Sequence, residues 1–269
     1  MKSDELLAFE TDCHLFGDCG YPAPSLWSFE FEPIFTLGPV EFTKPMLLAL
    51  LSIAVVIGFF WAAFAKPKVV PGKLQMVAEV LYDFVRRGIA REVIGKQGEK
   101  YVPLLVSLFF LVWAFNMWAI IPVAQIPVSS IIGFPVALTL VVWVTYMTIT
   151  FRAHGFAGGM RNLCVPGGLP KGIYVILTPL ELLSNVFVRP FTLAVRLFAN
   201  MFAGHVLILV FLIGAWYMAG PHIGALFSVT SLVMTLLITA FEIFIQALQA
   251  YVFTVLTATY ISGALEEAH

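Results

Sequence analysis

Five apolar runs, separated by short polar connections, dominate the chain. The first covers Pro45 to Ala65 and has no charged residue from Met46 onward; Pro45 suits the first turn of a helix. The second covers Tyr101 to Ile121 and the third about Ile132 to Phe151. Each is long enough to cross a hydrocarbon core as a helix of about 20 residues. The fourth, from about Ile173 to Trp216, and the fifth, from about Ile223 to Leu265, are about twice that length. As helices they would extend roughly 60 Å, against a core of roughly 30 Å. Neither has a central polar loop at which the chain could turn back. Two strongly tilted helices are therefore expected, with any kink near Pro190 or Gly204.

Between the first two runs, residues 66–100 hold eight of the fifteen basic residues. Leu74, Val77, Ala78, Leu81, Phe84, Val85 and Ile89 recur there at helical spacing, while Lys73, Gln75, Glu79, Asp83, Arg86 and Arg87 take the other face. This predicts an amphipathic helix over 72–94, lying on the membrane surface or packed against a soluble partner. The connection 152–171 is also basic and rich in glycine, whereas 122–131 and 217–222 carry no Lys or Arg. Basic loops stay on the cytoplasmic side, so the N-terminus is expected outside and the C-terminus inside. Residues 1–44 carry Pro22, Pro24, Pro33 and Pro39 and read as an irregular or partly structured extracytoplasmic tail. With Asp4 and Glu5 and no apolar core, its start does not read as a signal peptide. The expected organisation is this tail, three transmembrane helices with the amphipathic helix over 45–172, and a tilted helical hairpin over 173–269. The fold class is an all-α polytopic membrane protein with five crossings.

Composition agrees: 60% of residues are hydrophobic and 12% charged, about half the ~25% charged share of soluble domains. A net charge of −1 gives no reason to expect a nucleic-acid partner. No C-x-x-C pair or zinc-like spacing occurs, and no metal or cofactor is expected. Cys13 and Cys19 could pair in an extracytoplasmic tail or stay as two free thiols.

Against this apolar background the interior polar residues stand out. Arg196 lies far from either end of the fourth run. Arginine carries a permanent charge, and placing one near a bilayer centre costs at least roughly 2.5–3.5 kcal/mol. On a helix, Asn185, Arg189, Thr192, Arg196 and Asn200 recur at spacings of 4, 3, 4 and 4 and share one face. His205, nine positions beyond Arg196, falls roughly 180° around and about 13 Å along the axis. In the fifth run Thr235, Thr239, Glu242, Gln246 and Gln249 recur at 4, 3, 4 and 3, a second stripe. Such stripes must face protein or water rather than lipid.

Plainer readings exist for each residue. The threonines can bond their own helix backbone, the amides and Asn200 can join helices, and Arg196 and Glu242 can form a buried salt bridge. Buried pairs are poor sources of stability, and His205 with the amides exceeds what one pair needs. An imidazole and a carboxylate flanked by amides make a proton relay plausible. A fixed positive charge beside them would favour ionisation of a carboxylate supplied from elsewhere.

At this point the residues resemble a known family. The segment Arg189-Pro190-Phe191-Thr192-Leu193-Ala194-Val195-Arg196-Leu197-Phe198-Ala199-Asn200-Met201-Phe202-Ala203-Gly204-His205 resembles the membrane stator subunit a of F-type ATP synthases. Gln246-Ala247-Leu248-Gln249-Ala250-Tyr251-Val252-Phe253-Thr254-Val255-Leu256-Thr257 resembles that family's C-terminal helix. The resemblance implies a proton-translocating stator beside a ring of c-subunits with membrane-embedded carboxylates, served by two offset half-channels. It implies that Arg196 keeps the half-channels from short-circuiting and that Asn200 and Gln249 line the interface with the ring. His205 and Glu242 would act as a coupled pair in the outer half-channel, their order being histidine then acid. Glu181 and Ser184 resemble inner half-channel residues, with Glu181 one residue further from Pro190 than in some relatives. Thr192 and Gln246 complete the expected proton path. Peripheral-stalk b-type subunits, the F1 sector and the bilayer are the other implied partners, in an energy-coupling membrane such as a bacterial plasma membrane.

No G-x-x-x-x-G-K-[ST] motif occurs, so ATP chemistry is expected on other subunits and none on this chain alone. His205 and Glu242 favour H⁺ over Na⁺ as the ion. A secondary transporter or channel using Arg196 to bind an anion is the competing reading. It would normally show internal repeats or broken helices, and no repeat is visible. A purely structural membrane anchor leaves the titratable interior residues without a purpose.

Overall fold

The computed structural model describes residues 21, 24, 33–37, 40–121, 124–164, 174–219 and 224–265. Cys13 and Cys19 lie outside the described residues, as do Lys171 and the acidic C-terminal pair Glu266 and Glu267. Two short strands, β1 (Pro33–Leu37) and β2 (Val40–Thr43), pair antiparallel and lead into the first helix. The tail is thus partly structured, with its regular portion immediately before the membrane.

Seven α-helices follow: α1 Lys44–Phe64, α2 Lys73–Val85, α3 Val102–Met117, α4 Gly133–Cys164, α5 Tyr174–Leu183, α6 Arg189–Tyr217 and α7 Gly224–Leu265. Among the described residues, five helical stretches are long and apolar enough to cross a membrane. They correspond to the five apolar runs, the second continuing backwards through the amphipathic segment.

The amphipathic segment is helical to Ile94, as the pattern predicts, but only its first part is α-helix. Arg86–Ile94 is a π-helical stretch, and Gly95–Tyr101 a 3₁₀ stretch leading into α3. Its face divides in two. Leu74, Val77, Val80 and Phe84 are exposed, as suits a helix resting on lipid. Val85, Ile89 and Ala90 are fully buried in a core with Val102, Leu105, Ala258 and Ile261. The far half of this helix is therefore wedged between α3 and α7, and the partner it meets is the chain itself. On its polar side, Glu99 receives Arg86 Nε at 2.8 Å and also Arg91 Nε.

The third run continues beyond the expected limit at Phe151. α4 keeps helical geometry past it, breaks at Gly155 with φ 68°, and resumes to Cys164. That left-handed backbone is open to glycine with little strain. The neutral linker after α3 also departs from a simple outer loop: Ala124, Ile126 and Val128–Ser130 are buried against the bundle.

The fourth run departs from a continuous α-helix at Ser184–Val188, a π-helical turn just before Pro190. Proline lacks an N–H and its ring collides with the carbonyl four residues back. A wider turn absorbs that conflict, and the backbone N–H of Arg189 reaches the Ser184 carbonyl instead. The kink thus falls on the proline side, and α6 runs through Gly204 unbroken.

The main core joins α3, α4, α6 and α7 through Val112, Phe115, Val142, Tyr146, Leu193, Leu197 and Phe253. Trp118 Nε1 ties the end of α3 to Ser52 Oγ of α1 at 2.6 Å. Tyr21 OH donates to the Val210 carbonyl at 2.8 Å, and its ring meets Tyr217 edge-on. Tyr21 therefore lies beside the last turns of α6.

Packing should outweigh charge in holding the amphipathic helix. Exposed ion pairs contribute about 0–1 kcal/mol, whereas emptying a full aliphatic site costs about 2–5 kcal/mol. Glu99→Gln is expected to lower unfolding stability in detergent much less than Ile89→Ala. Equal losses in the two variants would show that the ionic cluster governs this region.

Candidate functional site

The site is the seam between α6 and α7, which run antiparallel. Asn200 Nδ2 donates to Gln249 Oε1 at 2.9 Å. Towards one end, Ser231 Oγ bonds the Phe211 carbonyl at 2.7 Å and Ser228 Oγ the Ala215 carbonyl at 2.6 Å. Towards the other, the Arg189 guanidinium lies 5.5 Å from the centre of the Tyr260 ring. Contacts 189/260, 200/249 and 211/231 follow one another in antiparallel order along the hairpin, so the α7 stripe meets α6.

It does so with its polar residues inside. Thr235, Glu242, Gln246 and Gln249 are buried, Gln246 completely. Thr192, Thr235 and Thr239 donate their hydroxyls to carbonyls of their own helix, the plain role for threonine. The others are not so employed. Both Glu242 carboxylate oxygens, both ends of the Gln246 amide and Gln249 Nε2 are buried with no hydrogen bond to a described protein group. An unmet buried polar atom costs about 1–3 kcal/mol, and such sites normally take ordered water. The seam therefore offers unmet polar groups to ordered water.

Gly204 makes room for the acid. A Cβ at this position would lie 3.2 Å from Glu242 Oε1. The carboxylate therefore rests against the α6 backbone one residue from His205, which is itself buried. The acid and the imidazole meet at one level of the seam.

Arg196 faces elsewhere. It is exposed, with Thr192 and Asn200 exposed beside it, while Leu193 and Leu197 point into the core. The predicted half-turn between Arg196 and His205 is realised, one outside and one inside. Among the described residues no salt bridge includes Arg196, so the alternative of an Arg196–Glu242 pair is not formed. Beyond these polar neighbours the exposed surface of the hairpin carries small residues. Ala199 and Ala203 on α6, and Ala240 and Ala247 on α7, are exposed small residues, the kind that let another helix approach closely.

The single-face expectation fails at Asn185. It is buried, donates to the Leu163 carbonyl at 2.9 Å, and its own carbonyl accepts from Tyr146 OH. The π turn rotates it away from Thr192, Arg196 and Asn200 and towards α4. Arg189 also leaves the exposed row: it lies 3.7 Å from Glu181 and over Tyr260. Glu181 accepts from Asn185 Nδ2 at 3.4 Å, and Ser184 sits half-buried in the π turn. Glu181 and Ser184 thus belong to a second polar cluster, apart from the Glu242 seam. Tyr260 and Tyr146 are members of it that the sequence reading passed over. Tyr260 was accessible, since it continues the α7 stripe at helical spacing through Phe253 and Thr257. Tyr146 shows no comparable signal. Among the described residues no group of His, Cys, Asp or Glu could hold a metal ion.

Residues 46–262 match the family described as ATP synthase A chain. The chain belongs to that family. It is 57% identical to ATP synthase subunit a of Streptomyces lividans, across 98% of this chain and 95% of the relative. Identity to the subunit a of Frankia alni is 41%, across 93% and 88%, and to that of Rhodococcus erythropolis 38%, across 91% and 90%. The matched region contains all five crossing helices and both polar clusters. The chain is accordingly a multi-pass plasma-membrane subunit of the ATP synthase complex, and the free-standing anion transporter is not favoured.

Gly204 offers a test of the seam. Gly→Ala in a helix interior gains about 0.5–1 kcal/mol, which a small shift of the Glu242 side chain would offset. Overpacking by a larger residue costs about 1–3 kcal/mol. Gly204→Ala should leave thermal stability nearly unchanged, while Gly204→Val lowers it clearly. A neutral Gly204→Val would mean that the carboxylate does not rest against α6.

Proposed function

We propose that the chain is the proton-conducting stator of a rotary F-type ATP synthase, and that Arg196 separates two half-channels. One observation carries this reading: in a member of the ATP synthase A chain family, Arg196 is exposed far from either end of an apolar helix, with no acid among the described residues paired to it. Exposure of a permanent charge to lipid is costly, so the complementary carboxylate must come from a neighbouring subunit. Carboxylates of the c-ring fill that role, and the small residues around Arg196 suit a helix passing close by.

In this reading protons enter from outside through the seam, along His205, Glu242, Gln246, Asn200 and Gln249. They protonate a ring carboxylate and leave it, after nearly a full turn of the ring, towards the cytoplasm past Ser184 and Glu181. Thr192 flanks Arg196 and helps shape its surroundings. As a ring carboxylate loses its proton, the Arg196 charge stabilises the ionised form. Because that charge is permanent, Arg196 cannot itself carry a proton from one half-channel to the other. ATP chemistry lies on the F1 sector, and b-type subunits hold the stator in place. The basic 66–100 and 152–171 connections support a cytoplasmic C-terminus and an outer N-terminus. Residues 1–44 then form the outer tail, 45–172 the scaffold, and 173–269 the proton-path hairpin.

Replacing Arg196 with Gln or Ala should abolish ATP synthesis driven by a proton gradient in membrane vesicles. Retained coupling in a fully assembled complex would exclude the assignment. For the relay, single changes at His205 or Glu242 should slow passive proton flux, and the exchanged pair His205→Glu/Glu242→His should recover part of it. Full flux in both single variants would remove these two residues from the path.

A further inference from the structure

A groove of about 470 Å³ runs along α4 where it meets the start of α3 and the end of α7. Lys100, Tyr101 and Arg152 line one end, and Val144, Ile149 and Leu265 the floor. We infer that this groove is a binding site for an anionic glycerophospholipid, with its phosphate between Lys100 and Arg152 and an acyl chain along α4.

Depth supports this assignment. α4 starts at Gly133, and Arg152 follows 19 residues later, about 28 Å along a helix. That distance matches a hydrocarbon core of roughly 30 Å, so Arg152 emerges at headgroup level. Lys100 and Tyr101 immediately precede α3, and Leu265 ends α7. The start of α3, the end of α7 and Arg152 of α4 therefore meet at one interface, where a tyrosine is at home. In the other direction Val144, Val141 and Leu140 are exposed and carry an apolar track inward from the cations.

The charges are available to a ligand. Among the described residues neither Lys100 nor Arg152 forms a salt bridge, and the neighbouring acid Glu99 is occupied by Arg86 and Arg91. Thr145 and Thr148 also line the groove, but both donate to carbonyls of α4, at 2.7 and 2.6 Å. The two cations are thus its strong donors. A free phosphate would need only that polar end. A lipid uses both parts, and basic pockets between helices on the cytoplasmic side favour anionic headgroups.

The test uses the purified intact complex and a phosphatidylglycerol analogue bearing a photoreactive diazirine in its acyl chain. Labelling is expected on the α4 peptide around 140–153. A basic residue at a membrane surface is worth about fivefold in affinity for anionic lipid, so Lys100→Gln with Arg152→Gln should cut labelling roughly tenfold or more. Lys100→Arg with Arg152→Lys should retain it, which separates loss of charge from misfolding. Val144→Trp, which leaves both cations in place, should reduce labelling by filling the floor. Equal labelling by a phosphatidylcholine analogue, or no change in the double glutamine variant, would overturn the proposal. Competition by millimolar inorganic phosphate would also overturn it, in favour of a free-anion site.

Discussion

The antiparallel seam between α6 and α7 is the constraint on which the rest of the hairpin depends. The antiparallel alignment tied by the Asn200–Gln249 bond and by the serine bonds near the connection decides what each helix buries. It turns the glutamate and two glutamines of α7 inward, against the glycine that clears space for Glu242. The same alignment commits Leu193 and Leu197 to the core, which leaves Arg196 on the outside. Glu242 and Arg196 of one hairpin thus cannot satisfy each other. The stator reading follows from that separation together with family membership.

The two polar clusters differ in kind. Glu181, Asn185 and Arg189, with Tyr146 and Tyr260, make contacts within the protein. Among the described residues the Glu242 carboxylate and the Gln246 amide have no hydrogen-bond partner. The first cluster is bonded except at Asn185 Oδ1 and so holds a more fixed geometry, whereas a largely unmet set of groups favours water and exchange. In the proposed reading the outer path is therefore the wetter of the two, and the inner cluster orders the kinked helix as well as lining an exit.

Much of this was legible from periodicity. The α7 stripe, the opposed faces of Arg196 and His205 and the five crossings all depend on a spacing of 3.6 residues, and α6 and α7 keep that spacing. The expectation failed where the backbone left it. Asn185 was assigned to the Arg196 face because a π turn before Pro190 cannot be counted from the chain, although the proline marks where strain arises. The burial of Val85, Ile89 and Ala90 was hidden for a different reason. An apolar helix face looks the same whether it meets lipid or protein, and only the fold shows α3 and α7 packed on it. The continuation of α4 beyond Gly155 was hidden by a glycine-rich composition that reads as a loop.

The length of the last helix also acquires a reason. From Ser228 to Tyr260 polar residues recur along one side of α7, a distance of roughly 48 Å on its axis. A helix along the membrane normal needs only about 30 Å, so this stripe is longer than the barrier it crosses. A stripe that long, held in one seam, would by itself offer a continuous polar way through the membrane. Coupling requires that no such way stay open. Two features oppose it in this fold. Phe253 and Thr257, both fully buried, occupy the seam between Gln249 and Tyr260, and the Thr257 hydroxyl is spent on the Phe253 carbonyl. At the level of that apolar interruption the exposed charge is Arg196, on the face where another subunit would pass. In the proposed reading, a proton brought to Gln249 then has its onward route sideways, onto a neighbouring carboxylate, rather than straight along α7.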